Sequence, residues 1–319
     1  MKRNLFVPAC LALFMLTAFV SCQSDDEKQD AVMVILKLKD PGYWEQVGVA
    51  ASLECAAKNL TAVVRYTVSD ADYQSQLDAI TDMENMDYNF KGIVAVPIYS
   101  ENNHQVEQRI ADVAGKMNIP VIIIDTPVND SVSPLAGKYR TYIGTDNVDA
   151  GKILARNVPA AADSILSVYS AASNAGALRY KGFANVKGET GLWKTSEEDA
   201  AAIRSQLDSC PDVTDVVYYN GSLAHTNAVL DILKDNGKNV YSFDAFESLL
   251  DNLAQGGVVK GIMAQQTFEI GKQAIDAVFN PNVKNPMYIE PIYITKENVT
   301  SESVQPFFDF YNNKYSSFR

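Results

Sequence analysis

What limits this chain most is an alternation of short β-rich runs with longer helical patterns, running from Ala31 to Phe279. It is clearest late in the chain. A run at Val216–Tyr219 ends in Asn220-Gly221, a second ends in Phe243-Asp244, and a third, Val258–Ala264, ends in Gln265-Gln266 before a helix over Thr267–Phe279. The earlier chain reads the same way, with strands at Ala31–Leu38, Thr61–Thr67, Gly92–Ile98 and Ile119–Asp125. Between them lie apolar positions at helical spacing: Trp44, Val47, Ala51 and Cys55; Tyr73, Leu77 and Ile80; Val106, Ile110, Val113 and Met117. Ser69 to Asp72 reads as a capping box opening the second of these helices. Strands alternating with helices of roughly 12 to 18 residues require parallel sheets covered on both faces.

After a polar, Pro-containing loop (Thr126–Lys138) the pattern restarts. Thr141–Gly144 leads into a helix over Val148–Asn157, followed by a strand at Ser164–Ser170 and helices at Ala177–Lys187 and Thr195–Leu207. Tyr288–Thr295 reads as one more strand, and the tail Val304–Arg319 is rich in Phe and Tyr. The 319 residues suit two lobes of ordinary size. No domain-sized linker or solenoid repeat divides them.

In open parallel sheets, ligands bind beyond the carboxyl ends of the strands. Asn220, Asp244 and Gln265 there suit a ligand that both donates and accepts hydrogen bonds, such as a sugar. The formal charge is −12, and about −14 once Lys2 and Arg3 are set aside with the leader. That excludes a nucleic-acid-binding role, which needs a basic patch.

Lys2-Arg3 precede an apolar stretch, Leu5–Val20, too short for an ordinary membrane span. With Ser21-Cys22 and the acidic run that follows, this resembles a bacterial lipoprotein signal, although Phe19 stands where Leu is usual. The expectation is a signal peptide at 1–21, lipidation of Cys22 and a flexible tether over 22–30. The acidic run also resembles the surface-export signal of Bacteroidetes lipoproteins. Of the four cysteines, Cys55 and Cys210 then remain, in different halves and without metal spacing, so free thiols are expected.

The run SFDAF, its spacing to LAQGGVVKGIMAQQTFEIGKQAI and the later ITKENV resemble type I periplasmic binding proteins of the ribose-binding group and the sensor core of lactose-repressor-type regulators. The likeness extends over nearly all of the mature chain. It implies two doubly wound α/β lobes joined by three hinge crossovers near Ile143–Thr145, Ala264–Gln266 and Glu290–Ile292. The lobes would comprise 31–143 plus 266–290 and 144–265 plus 291–319. It also implies a ligand site: Tyr43 and Trp44 stacking on the ligand; Asp125 accepting hydroxyls; Arg179, in a stretch similar to the family's Arg-x-x-Gly-Phe helix start; Asn220; Phe243-Asp244; and Gln265 at the hinge. Two departures stand out. Thr126 follows Asp125 where many members carry Arg, and Gly221 replaces the Asp that follows the family's Asn. The stretch from Arg179 to Asn220 is shorter than usual, as though a strand were lost or reduced; Trp193 is the aromatic there that could line the ligand.

His104 and His225 stand isolated, with no Ser-His-Asp or metal-ligand spacing, and neither glycine-rich phosphate motif is present. The expectation is therefore a monomeric binding protein without cofactor or metal, and not an enzyme. It would capture a small sugar or polyol by hinge closure and present it to a membrane permease, most simply a sugar importer of the ABC class. The alternatives are a sensor that presents its closed form to a signalling receptor, and a binder of a non-sugar molecule. An enzyme on a flavodoxin-like sheet would need a reactive constellation that the sequence lacks.

Overall fold

The computed structural model describes residues 28–98, 104–170, 173–195 and 200–319. The leader, Cys22 and most of the expected tether lie outside these residues. Among the described residues no helix is long and apolar enough to cross a membrane.

The first sheet is built from β1 (Gln29–Leu38), β2 (Thr61–Thr67), β3 (Tyr88–Ala95), β4 (Val121–Ile124), β5 (Thr141–Gly144) and β11 (Met287–Tyr288), in the order β11-β5-β4-β3-β1-β2. The second contains β6 (Ile165–Ser170), β7 (Gly191–Thr195), β8 (Asp215–Tyr218), β9 (Asn239–Phe243), β10 (Val259–Ala264) and β12 (Ile292–Ile294), in the order β12-β10-β9-β8-β6-β7. All the pairings are parallel except that of β12 with β10. The central strands are buried on both faces, and accordingly read as continuous apolar runs such as Val121–Ile124.

In the first lobe, one face is covered by α1 (Trp44–Ala57) and α9 (Thr267–Phe279) around Val34, Val94 and Ile275; the other is covered by α2 (Tyr73–Asp82) and α3 (Gln105–Met117) around Met33, Ile93 and Ile110. In the second lobe, α4 (Asn147–Asn157) and α5 (Asn174–Lys187) cover one face. The opposite face is covered by α6 (Ala200–Asp208), α7 (Asn227–Asp235), α8 (Glu247–Ala254) and α10 (Gln305–Tyr311). The chain passes between sheets three times: from β5 into α4, from β10 into α9, and from β11 to β12. This is the double-lobed, three-crossover fold that the resemblance implied.

Three local expectations need correction. Asp72, not Ser69, caps α2; it accepts from Ser75 N at 3.1 Å, and the chain around Ser69 is a turn. The strand expected over Tyr288–Thr295 is two strands in different sheets, because the chain crosses between lobes at residues 289–291. The strand that seemed lost before Asn220 is present as β7, paired with β6 at the sheet edge, and α6 is described over Ala200–Asp208. Its half-exposed edge position leaves Gly191-Leu192-Trp193-Lys194-Thr195 with no apolar alternation to reveal it.

Candidate functional site: the cleft between the lobes

The carboxyl ends of both sheets point into the space between the lobes. Each lobe places an aspartate at the end of its fourth strand, and the two have the same backbone. Asp125 follows β4 with φ +60°, and its N–H donates to Ile143 O on β5 at 2.9 Å. Asp244 follows β9 with φ +64°, and its N–H donates to Met263 O on β10 at 3.1 Å. Among residues with a side chain, Asp and Asn tolerate this left-handed conformation best. Each aspartate is thereby turned out of its sheet at a fixed angle.

On the second lobe the polar groups satisfy one another. Asp244 accepts from Gln265 Nε2 at 2.7 Å and from Gly221 N at 3.4 Å, and it lies 3.7 Å from the Arg179 guanidinium. Arg179 is 3% exposed; it donates to Asn147 Oδ1 and Tyr219 O, each at 2.8 Å, and lies over the Phe243 ring at 4.3 Å. Close helix packing positions it. At Gly151 a Cβ would overlap Arg179 O, and at Gly182 one would overlap Val148 O, so α4 and α5 meet backbone to backbone. Asn220 accepts from Ser170 N at 2.9 Å and donates to Ser173 Oγ at 3.0 Å, joining the ends of β6 and β8. Gly221 has a steric reason to depart from the family's Asp: a Cβ there would run into Phe243 O.

The first lobe's contribution is less complete. Tyr43 is 7% exposed, and its hydroxyl has no partner at hydrogen-bond geometry among the described residues. Burial first, then the nearby Asp125 carboxylate, hold its pKa well above the usual tyrosine value. The ring meets Trp44 edge-on, with centroids 4.7 Å apart, and both belong to the core against α9. The Asp125 carboxylate accepts from Thr126 Oγ1 at 2.8 Å, and its carbonyl accepts from Tyr142 Oη at 2.7 Å. Thr145, which follows β5 as Gln265 follows β10, has a buried hydroxyl that is also unpartnered.

The lobes touch across the cleft. Gly42 packs so closely on Phe246 that a Cβ there would overlap the ring. Tyr311 Oη donates to Ala245 O at 2.8 Å and accepts from Gln46 Nε2 at 3.2 Å. Arg319 bonds both oxygens of the buried Glu45, at 2.8 and 3.2 Å. Open grooves lie elsewhere, such as one of about 490 Å³ between α1, α9 and α10.

The structure therefore brings together Tyr43, Asp125, Arg179, Asn220, Asp244 and Gln265. It gives three expected residues other surroundings. Phe243 is fully buried and supports Arg179 instead of offering a face to the cleft. Trp44 is 8% exposed, in the core, with Lys37 Nζ 5.7 Å above its ring. Trp193 lies within β7, opposite Val168, and packs against the core on the α6–α8 face. Sequence reasoning missed Lys37, 3.5 Å from Thr126 Oγ1, and Asp40, Asn147 and Gln46, none of which carries a motif. Residues 99–103, 171–172 and 196–199, which follow β3, β6 and β7 in the chain, lie outside the described residues.

No reactive constellation stands among the described residues. Glu107 lies between His104 and Ser133, so the imidazole does not meet the hydroxyl it would have to activate. No cluster there could hold a metal ion. Cys55 is buried, which pushes its thiol up to about 12, and neither Cys55 nor Cys210 is disulfide-bonded.

Two lobes with a polar cleft at facing strand ends define a hinged solute-binding fold. The chain belongs to the family described as periplasmic binding protein domain, whose model matches residues 32–280. It is 31% identical over 121 residues to the D-allose-binding periplasmic protein of Escherichia coli, a match covering 37% of this chain and about a third (36%) of that relative's length. Its fold is shared by a solute-binding protein of an ABC transporter from Agrobacterium vitis bound to α-D-tagatopyranose (TM-score 0.70, 22% identity, 88% of this chain and 99% of that one). It is likewise shared by one from Actinobacillus succinogenes with bound D-allose (TM-score 0.70, 16% identity, 85% and 99%).

Proposed function

We propose that the protein captures a small sugar or polyol in this cleft by hinge closure and presents the closed form to a membrane partner, most simply a sugar importer of the ABC class. The observation that carries the reading is the opposition of Asp125 and the buried Tyr43 hydroxyl beside it on one lobe to the bonded set of Arg179, Asn220, Asp244 and Gln265 on the other. Such an array can accept and donate around a ring of hydroxyls, and closure dries the cleft, which strengthens each bond. The neighbours that bind D-allose and tagatose favour a monosaccharide. Lobe membership is proposed as 31–143 plus 266–290 and 144–265 plus 291–319. Cys22, after a signal peptide at 1–21, would carry the lipid that ties the protein to the cell envelope, with 22–30 as the tether.

The test is a thermal-shift screen against monosaccharides, disaccharides, polyols and nucleosides. A ligand a hundredfold above its dissociation constant stabilises by about 2.7 kcal/mol, a shift of several degrees. A hit abolished by Asp244→Asn supports the cleft. Silence across all sugars and polyols contradicts sugar capture.

A further inference from the structure

Building on the reading of the cleft as hinged, and independently of what it binds, we propose that residues 304–319 form a strap. It joins the two lobes and holds the cleft towards its closed form, with the Tyr311 hydroxyl as its clasp.

The segment is rooted in the second lobe. Val304 and Phe307 are buried in the core that holds Leu249, Leu250 and Leu253 of α8, and Tyr311 packs against it. From there the segment reaches the first turn of α1 on the other lobe. Tyr311 Oη donates to the carbonyl of Ala245, the residue after Asp244, at 2.8 Å. The same oxygen accepts from Gln46 Nε2 at 3.2 Å and lies 3.3 Å from Pro41 O. One hydroxyl thus meets the loop that follows β9 and the loop that leads into Tyr43 and Trp44. Gln46 is fully buried; it also donates to Pro41 O at 2.9 Å and accepts from Thr267 Oγ1 at 2.6 Å, just beyond the crossover from β10.

Arg319 makes a second clasp. It bonds both oxygens of the buried Glu45, while its guanidinium lies 4.4 Å from the Phe310 ring and donates to Asn313 Oδ1 at 2.9 Å. Between the clasps the contacts are ring on ring: Phe268, at the start of α9, meets Phe307, Phe310 and Tyr315. Apolar burial is non-directional and survives small shifts, whereas a hydrogen bond weakens steeply out of line. Opening that draws α1 away from Ala245 must therefore break the Tyr311 clasp. Each buried group so released loses its partner, which biases the hinge equilibrium towards closure.

The test is the distance between spin labels on the two lobes, measured by pulsed electron resonance without ligand. Exposed Val68 and Ser222, each following a strand on its own lobe, are replaced by Cys in a Cys210→Ser background; buried Cys55 stays unlabelled. Tyr311→Phe keeps the ring and removes only the hydroxyl. It should raise the ratio of long to short distances about fivefold, the value of one neutral hydrogen bond. Adding Arg319→Gln should raise it about fivefold again. Distances unchanged in both variants would overturn the strap, and a shift with Arg319→Gln alone would overturn Tyr311 as its clasp. Should Tyr311→Phe not fold, Arg319→Gln decides by itself, and no shift there overturns the strap. Because no ligand is present, silence in the sugar screen would count against sugar capture and not against the strap, and unchanged labels the reverse.

Discussion

The two lobes share one strand plan and one device, an aspartate in left-handed conformation after the fourth strand, yet they use it differently. Asp244 is embedded: Gln265, Gly221 N and Arg179 meet it, and Arg179 is itself fixed by Asn147, Tyr219 O and the Phe243 ring. The Asp125 carboxylate meets only Thr126 Oγ1 at hydrogen-bond geometry among the described residues, its carbonyl accepts from Tyr142 Oη, and nearby Tyr43 and Thr145 hold buried hydroxyls with no partner at that geometry among the described residues. Leaving a buried polar group unpaired costs about 1–3 kcal/mol. The difference teaches a division of labour. On the proposed reading, the second lobe is organised before the ligand arrives and the first lobe would be completed by it.

The largest effect should come from cutting the organised side. Arg179→Ala removes the donor to Asn147 and Tyr219 O and the cation beside Asp244, and should lower folding stability by about 3 kcal/mol, read from urea denaturation. Asp125→Asn suits the same backbone and should leave the urea midpoint nearly unchanged, while weakening ligand by about ten- to a hundredfold in calorimetry. If the two variants lost stability equally, the contrast between lobes would be broken.

Closure itself is tested by Gly42→Ala. The added methyl would overlap the Phe246 ring where the lobes touch, so on the closure reading affinity should fall about tenfold and the scattering radius of the liganded protein should rise. Restoring space with Phe246→Ala in the same chain should recover part of the loss.

The tail gives a smaller, pH-dependent effect. Burial alone would raise the Glu45 carboxyl, but bonding to Arg319 and then Lys39 outweighs it and holds the pKa below the ordinary 4.5. A carboxyl depressed in the folded state stabilises fully above its unfolded value, and that contribution is lost as pH falls through the lower folded value. Arg319→Ala should therefore cost about 1 kcal/mol at neutral pH, and the gap in urea midpoint should narrow as pH falls below the ordinary 4.5 through the lowered folded value. Smallest of all, Trp193→Phe should change ligand affinity by less than about twofold, since its ring packs in the core.

Much of this was legible in the sequence, because buried parallel strands write themselves as apolar runs and strand ends show as Asp or Asn. Thr61–Thr67, Thr141–Gly144 and the helix Thr267–Phe279 fall where the pattern put them. Edge strand β7 did not show, because a half-exposed pentapeptide has no periodicity to read. Nor did the separation of β11 from β12, which only the crossover between lobes creates. Asp244 could be named from its strand end, and Asp125 and Arg179 from the family resemblance; that Phe243 supports Arg179 depends on packing. Lys37, Asp40 and Gln46 act through partners distant in sequence, and nothing local marks them.

Hydrogen–deuterium exchange with and without a bound sugar addresses the division between the lobes most directly. Ligand should slow exchange chiefly in the first-lobe segments Lys37–Gln46 and Asp125–Thr126 and at Thr145, with little gain at Asn220–Gly221, Asp244 and Gln265. Equal or greater protection of the second-lobe segments would contradict the account, as would a bound sugar that protects neither side.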